Sequence, residues 1–176
     1  LLNNKKKSQK FANNIFNLLI VGLFFLVLII EILMPLFVFL IAPGFDGDYQ
    51  KMELAITLTR ITFPFLMFIS LASFFSAILN SHNKFAIASA APIILNILLI
   101  GVLLFGKVLD DELVYYLSYA VTISGLLQFI FLYLFIKKYF APRFQLRIKI
   151  DSKVKIFFRK LLPSIFSSGV TQINIL

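Results

Sequence analysis

Few residues in this chain have types and spacing suited to chemistry. Glu31 is the one ionisable residue well inside a long apolar run, Phe16–Ala42. A charge at such depth costs at least about 2.5 kcal/mol, so acidic groups there face a wet cavity or a partner. It lies 11 residues before Ala42, roughly 16 Å along a helix. Two readings stand: a cavity-facing carboxylate that pairs with a cation or binds a proton, or one neutralised against a neighbouring helix. Asn96 reads first as an interhelical hydrogen-bonding group, with cavity lining as the alternative. Towards the end of the chain Ser164, Ser167, Ser168, Thr171 and Asn174 recur at three- and four-residue spacings, with Gln172 nearby. On a helix they form one stripe, below a kink expected at Pro163. Uncharged stripes of this kind either join helices by hydrogen bonds or line a wet cavity.

Enzyme signatures are missing. Cysteine is absent and His82 is the one histidine, so neither Cys nor paired-His metal ligation is available. The sequence has no glycine-rich phosphate loop and no serine with a credible His and Asp. Asp110 and Asp111 fall in an expected exterior turn, where solvation or topology explains them. No cofactor and no catalytic residue is expected.

The elements that must position these groups are long and apolar. Phe16–Ala42, Ile61–Leu79, Phe85–Phe105 and Val114–Ile136 can each cross about 30 Å of hydrocarbon as a helix. With 60% hydrophobic and 14% charged residues, the chain lies outside the soluble globular range. The expected class is all-α, a polytopic transmembrane helical bundle. Function must then concern the bilayer, something dissolved in it, or something crossing it.

The net charge of +9 does not point to nucleic acid. Lys5, Lys6, Lys7 and Lys10 precede the first run, Lys84 lies between the second and third, and nine basic residues lie in 137–160. If every run spans, these 14 of the 17 Lys and Arg share one side. The other side holds Lys51, Arg60 and Lys107 against Asp46, Asp48, Glu53, Asp110, Asp111 and Glu112. This is the positive-inside pattern, which puts the N-terminus and the 137–160 segment in the cytoplasm. Topology and attraction to anionic lipid explain the basic loop better than RNA or DNA binding.

Residues 1–12 read as a cytoplasmic connector. Pro35 is expected to kink the first span, and Ala42–Phe45 to stop it. Residues 44–59 read as an acidic exterior segment with a short amphipathic helix near Tyr49–Leu58. Asn80–Lys84 is a tight cytoplasmic turn. Ser70, Ser73 and Ala77, with Ala86 and Ala90, have the spacing of small residues that let helices approach closely. Tyr115, Tyr116, Tyr119, Tyr133 and Tyr139 read as interfacial anchors. Phe144–Ile150 alternates apolar and basic, as a short strand or a segment lying along the headgroups. A fifth helix is expected from Ile156. With no initiator methionine, and a last residue within that helix, the chain reads as an internal stretch of a larger membrane protein.

From Leu58 to Ile100 a more specific likeness emerges. Thr59–Pro64 with Arg60 and Pro64, then Ser70–Ser73, Ala77–Asn80, Phe85 and Ala91–Asn96 with Pro92, together resemble the MurJ (MviN) family of lipid II flippases. Ile41–Phe45 and Leu162–Ile173 sit where that family has similar segments. The resemblance implies part of a two-lobe, 14-helix transporter of the multidrug/oligosaccharidyl-lipid/polysaccharide exporter superfamily. Residues 1–136 would be most of the first lobe, 137–155 a basic cytoplasmic inter-lobe loop, and 156–176 the truncated first helix of the second lobe. It further implies transport of undecaprenyl-linked peptidoglycan precursor, lipid II, across the bacterial cytoplasmic (inner) membrane by alternating access, with membrane lipids as the other partners. The family's basic cavity residues lie mainly on helices outside this stretch and map onto none of its residues. Alternatives are a cation-coupled multidrug exporter or an O-antigen lipid flippase of the same superfamily, and a non-transporting membrane assembly subunit. A membrane-embedded polyprenyl-lipid enzyme fits least.

Overall fold

The computed structural model describes residues 2–45, 47–106, 112–144, 154–156, 159, 161 and 163. The described elements are helical: α1 Leu2–Ile32, α2 Met34–Ile41, a 3-10 turn Pro43–Phe45, α3 Tyr49–Thr62, α4 Phe65–Ser81, α5 Phe85–Ala90, α6 Ile93–Phe105 and α7 Leu113–Ile136. Four stretches have the length and apolar character to cross a membrane: Lys6–Ile32, Tyr49–Ser81, Phe85–Phe105 and Leu113–Ile136. The chain is an all-α, multi-pass membrane protein. Its contacts divide it into two units, residues 1–18 with 142–176, and residues 19–141.

Prolines divide three of the spans, each by the same cause. A proline offers no N–H to the carbonyl four residues earlier and crowds the preceding turn. Pro35 lies at the start of α2, just past a break at Leu33. Pro64 separates α3 from α4, and Pro92 separates α5 from α6. Leu113–Ile136, with no proline, is one uninterrupted helix of 24 residues.

Two expectations about helix extent need correction. Residues 2–12, expected as a connector ahead of the first span, are helical and continuous with α1. Their lysines do not oppose helix formation, because lysine is a good helix former and its charge stays in water. The short helix expected near Tyr49–Leu58 is present but longer, as α3 from Tyr49 to Thr62. It joins α4 through the Pro64 kink in one stretch of 33 residues, roughly 50 Å of helix. Asp48 starts it by accepting the Lys51 N–H at 3.1 Å, and nothing between Leu58 and Ile61 breaks a helix.

In residues 19–141, α7 is the central post, packed by α3, α4 and α6. Its buried residues Ala120, Ser124, Gln128, Leu132 and Ile136 repeat every four positions, the period of one helix face. Leu71, Ala72, Phe75 and Leu79 are the buried residues of α4. Phe75 stacks on Phe129 of α7 at 5.4 Å. Ser73 and Ala77 are exposed and take no part in the packing of α4 on α7 among the described residues. The close approach comes from the opposite helix, where a Cβ added at Gly125 would meet Phe65 at 2.6 Å and Phe68 at 3.3 Å. Large side chains on α4 thus pack over the bare backbone of α7.

The α4–α5 turn closes with a Schellman motif. Asn83 takes φ 58°; its N–H donates to Asn80 O at 2.9 Å and the Lys84 N–H to Leu79 O at 2.9 Å. In the other unit, Asn17 Nδ2 donates to Arg143 O at 2.9 Å, and Arg143 N–H donates to Asn13 Oδ1 at 3.0 Å. Residues 154–156, 159, 161 and 163 are helical; those from 156 on fall in the expected fifth helix, and 154–155 precede its expected start.

Candidate functional site: charged and polar groups inside the bundle

Two ionisable residues lie at helix ends, the half-buried Glu31 in the last turn of α1 and the exposed Arg60 in the last turn of α3. Glu31 Oε1 is buried and has no hydrogen-bond partner among the described residues. Among the described residues the ion pair within 4.0 Å is Lys51–Asp48 at 2.9 Å, so Glu31 and Arg60 are not in direct contact as a pair. Both residues stand four positions before a proline, Pro35 and Pro64 respectively. Neither proline can donate to the carbonyl of its charged predecessor. The two kinks therefore expose main-chain oxygen beside a carboxylate and beside a guanidinium.

Local packing fixes these kinks. α2 packs on α3, and Phe37 meets Phe63 edge-on at 5.7 Å and 74°. Beyond Pro64, Leu66 N–H turns back to Phe63 O at 3.0 Å and Met67 N–H to Pro64 O at 3.1 Å. The carbonyl of Ile61 is taken by the hydroxyl of Thr122 on α7. A neighbouring helix thus satisfies backbone that the kink has opened, as the absence of water in hydrocarbon requires.

The same face of α7 carries a polar stripe that sequence reasoning missed. Ser118 donates to Val114 O at 2.9 Å and Ser124 to Val121 O at 2.6 Å. Gln128 is 1% exposed, and its Nε2 has no partner among the described residues. The signal is present in Ser118, Thr122, Gly125 and Gln128, at offsets of four, seven and ten. The tyrosines are the louder pattern in that span and mask it.

The expected site residues do not form one cluster among the described residues. Asn96 is exposed on α6, with no hydrogen bond or ion pair to Glu31 or Arg60. Ser70 is half-buried on α4, Asn80 is exposed in its last turn, and Pro92 is exposed at the α5–α6 kink. Ser164, Ser167, Ser168, Thr171, Gln172 and Asn174 lie outside the described residues, as does most of the alternating segment 144–150. Chemically, the α1–α3 region offers a carboxylate suited to a proton or cation, and a guanidinium suited to an anion such as phosphate.

Comparison with known proteins places this architecture. The sequence model of the family described as "Lipid II flippase MurJ" matches residues 2–176. The chain belongs to that family. A protein of Rickettsia prowazekii (strain Madrid E) named "Probable lipid II flippase MurJ" is 35% identical over 179 residues, covering 99% of this chain and 34% of the relative. A protein of the same name from Rhizobium tropici is 32% identical, over 96% of this chain and 32% of its own length. The "Lipid II flippase MurJ" of Burkholderia cenocepacia is 34% identical, over 79% of this chain and 28% of the relative. The chain spans about a third of the length of the curated relatives it matches.

Proposed function

We propose that this chain is part of a flippase that turns lipid II, the undecaprenyl-linked peptidoglycan precursor, from the inner to the outer leaflet of the bacterial cytoplasmic membrane. Family membership along residues 2–176 carries this reading. A diphosphate-linked sugar–peptide headgroup cannot cross hydrocarbon without shielding, because stripping water from so many polar groups is prohibitive. A hydrated cavity between two lobes would carry the headgroup while the lipid tail stays in the bilayer, with alternating access as the rocking of one lobe against the other.

In this reading residues 1–136 supply most of one lobe, 137–155 the cytoplasmic link, and 156–176 the start of the next lobe. Glu31, Asn96, Ser164, Ser167, Thr171 and Asn174 are the candidates for facing the cavity. The protein moves its substrate without breaking a covalent bond, so it needs no catalytic residue. Its test is depletion of the chromosomal protein and rescue by the full-length gene, with outer-leaflet lipid II read by a membrane-impermeant probe. Restored exposure supports the proposal. Growth rescue without exposure, or export of cationic drugs instead, would replace it with the drug-exporter reading.

A further inference from the structure

At the far end of α6 and α7 two surface features adjoin. A groove of about 410 Å³ is lined by Ile97, Leu98, Gly101, Val102 and Phe105 of α6 and by Tyr116 of α7. Its lining is apolar apart from one phenol. Beside it, Glu112, Tyr115, Tyr116 and Tyr119 line a second hollow of about 300 Å³. These four stand at positions i, i+3, i+4 and i+7, so they share one face of the first turns of α7. Tyr116 belongs to both hollows and joins them. Its hydroxyl donates to Glu112 Oε2 at 3.3 Å, which holds the carboxylate beside the hollow that the three tyrosines line.

Length and charge together name the occupant. From Ile97 to Phe105 is about 12 Å of helix, most of one leaflet's share of a roughly 30 Å hydrocarbon core. An acyl chain fits that path, and Gly101 leaves it open, since a Cβ there would meet nothing within 4 Å. At the polar end, a carboxylate among three phenol rings attracts a cation through charge and through the ring quadrupoles. It repels an anionic headgroup. The lysine distribution puts this end of the helices at the outer leaflet. We propose that this face holds a phospholipid whose headgroup ends in an ammonium, phosphatidylethanolamine, with an acyl chain along α6 and its ammonium against Glu112, Tyr115, Tyr116 and Tyr119. The proposed lipid seat does not depend on the flippase reading.

Native mass spectrometry of the full-length protein, released from membranes containing equal phosphatidylethanolamine and phosphatidylglycerol, tests this directly. The wild type is expected to retain phosphatidylethanolamine preferentially. Glu112→Gln should lower that preference by about three- to fivefold, the scale of an exposed cation–π and charge-assisted contact. Gly101→Leu, which fills the groove, should reduce retention of the same lipid. Glu112 is exposed, so its substitution leaves the fold intact even where a groove variant does not. Equal retention of both lipids by the wild type would overturn the proposal. So would unchanged preference in Glu112→Gln, or a Gly101→Leu protein that loses self-association while keeping its lipid.

Discussion

The hydroxyl of Thr122, on the uninterrupted helix α7, donates to the main-chain carbonyl of Ile61, three residues before Pro64. That bond ties the kink between α3 and α4 to the central post of the bundle. Thr122→Val keeps the shape and removes the donor, leaving a half-buried carbonyl unsatisfied. The expected cost is about 1–3 kcal/mol, whereas Thr122→Ser should retain most of the stability. Thermal unfolding in detergent measures the loss, and hydrogen exchange at Phe65 and Leu66 should rise in the valine variant alone.

At Gly125, α4 packs against the bare backbone of α7, with the Phe65 ring 2.6 Å from where a Cβ would stand. Gly125→Ala should force that ring aside, and Gly125→Leu should separate the helices, at a cost of about 1–3 kcal/mol from overpacking. Denaturant unfolding of the two variants gives the order. A leucine variant as stable as the wild type would contradict the packing described.

Asn83 adopts a left-handed conformation, φ 58°, at the end of α4. Glycine takes that conformation freely, and asparagine better than other side chains. Asn83→Gly should be neutral or slightly stabilising, while Asn83→Val should cost about 1–2 kcal/mol, the penalty of a left-handed residue with a branched side chain. Comparison of melting temperatures of the two variants decides it.

Asp48 caps α3 from outside the spanning segments, and its bonds from the Lys51 side chain and N–H hold its carboxyl below the ordinary value of 3.8. An acid whose folded value is depressed adds stability above its unfolded value and loses it as pH falls through the folded one. Order in the first turn of α3 should therefore be constant above about pH 5 and decline below pH 3.8. Asp48→Asn, which still caps, should remove that dependence. Amide exchange at Lys51 across the acid range is the measurement.

Glu31 and Arg60 offer a functional test. If Glu31 serves transport through its charge, Glu31→Gln should lower lipid II exposure in the rescue assay by about tenfold or more with normal membrane insertion, since an intramembrane acid is costly to keep without use. Arg60→Gln should weaken activity too, and the double variant should lose less than the sum of the two if their charges act together. Full activity in Glu31→Gln would assign the carboxylate to helix packing.

The fold class was legible because apolar runs of membrane length admit one solution, and Pro35 was read as a kink; the breaks at Pro64 and Pro92 follow from the same missing N–H but were not foreseen. The extent of α1 and α3 was not. Lys5–Lys10 and Lys51–Arg60 are polar stretches that propensity permits to be helical but hydropathy does not flag. Glu31 stood out by burial cost alone. Gln128 and Thr122 did not, because uncharged polar groups blend into an apolar helix until a neighbour such as Ile61 is known to face them. The Asn13, Asn17 and Arg143 contacts join positions 126 and 130 apart, a pairing that no local pattern encodes.

Those contacts have a consequence for biosynthesis. Residues 13 and 17 leave the ribosome long before residue 143, so the start of α1 must wait unlatched while the four membrane-length stretches are made. The clasp can shut only after α7 has emerged. A ring 126 residues around is thereby sealed late. A chain stalled before Arg143 would keep the local bond from Asn17 to Asn13 O and lack the long-range one that closes the ring.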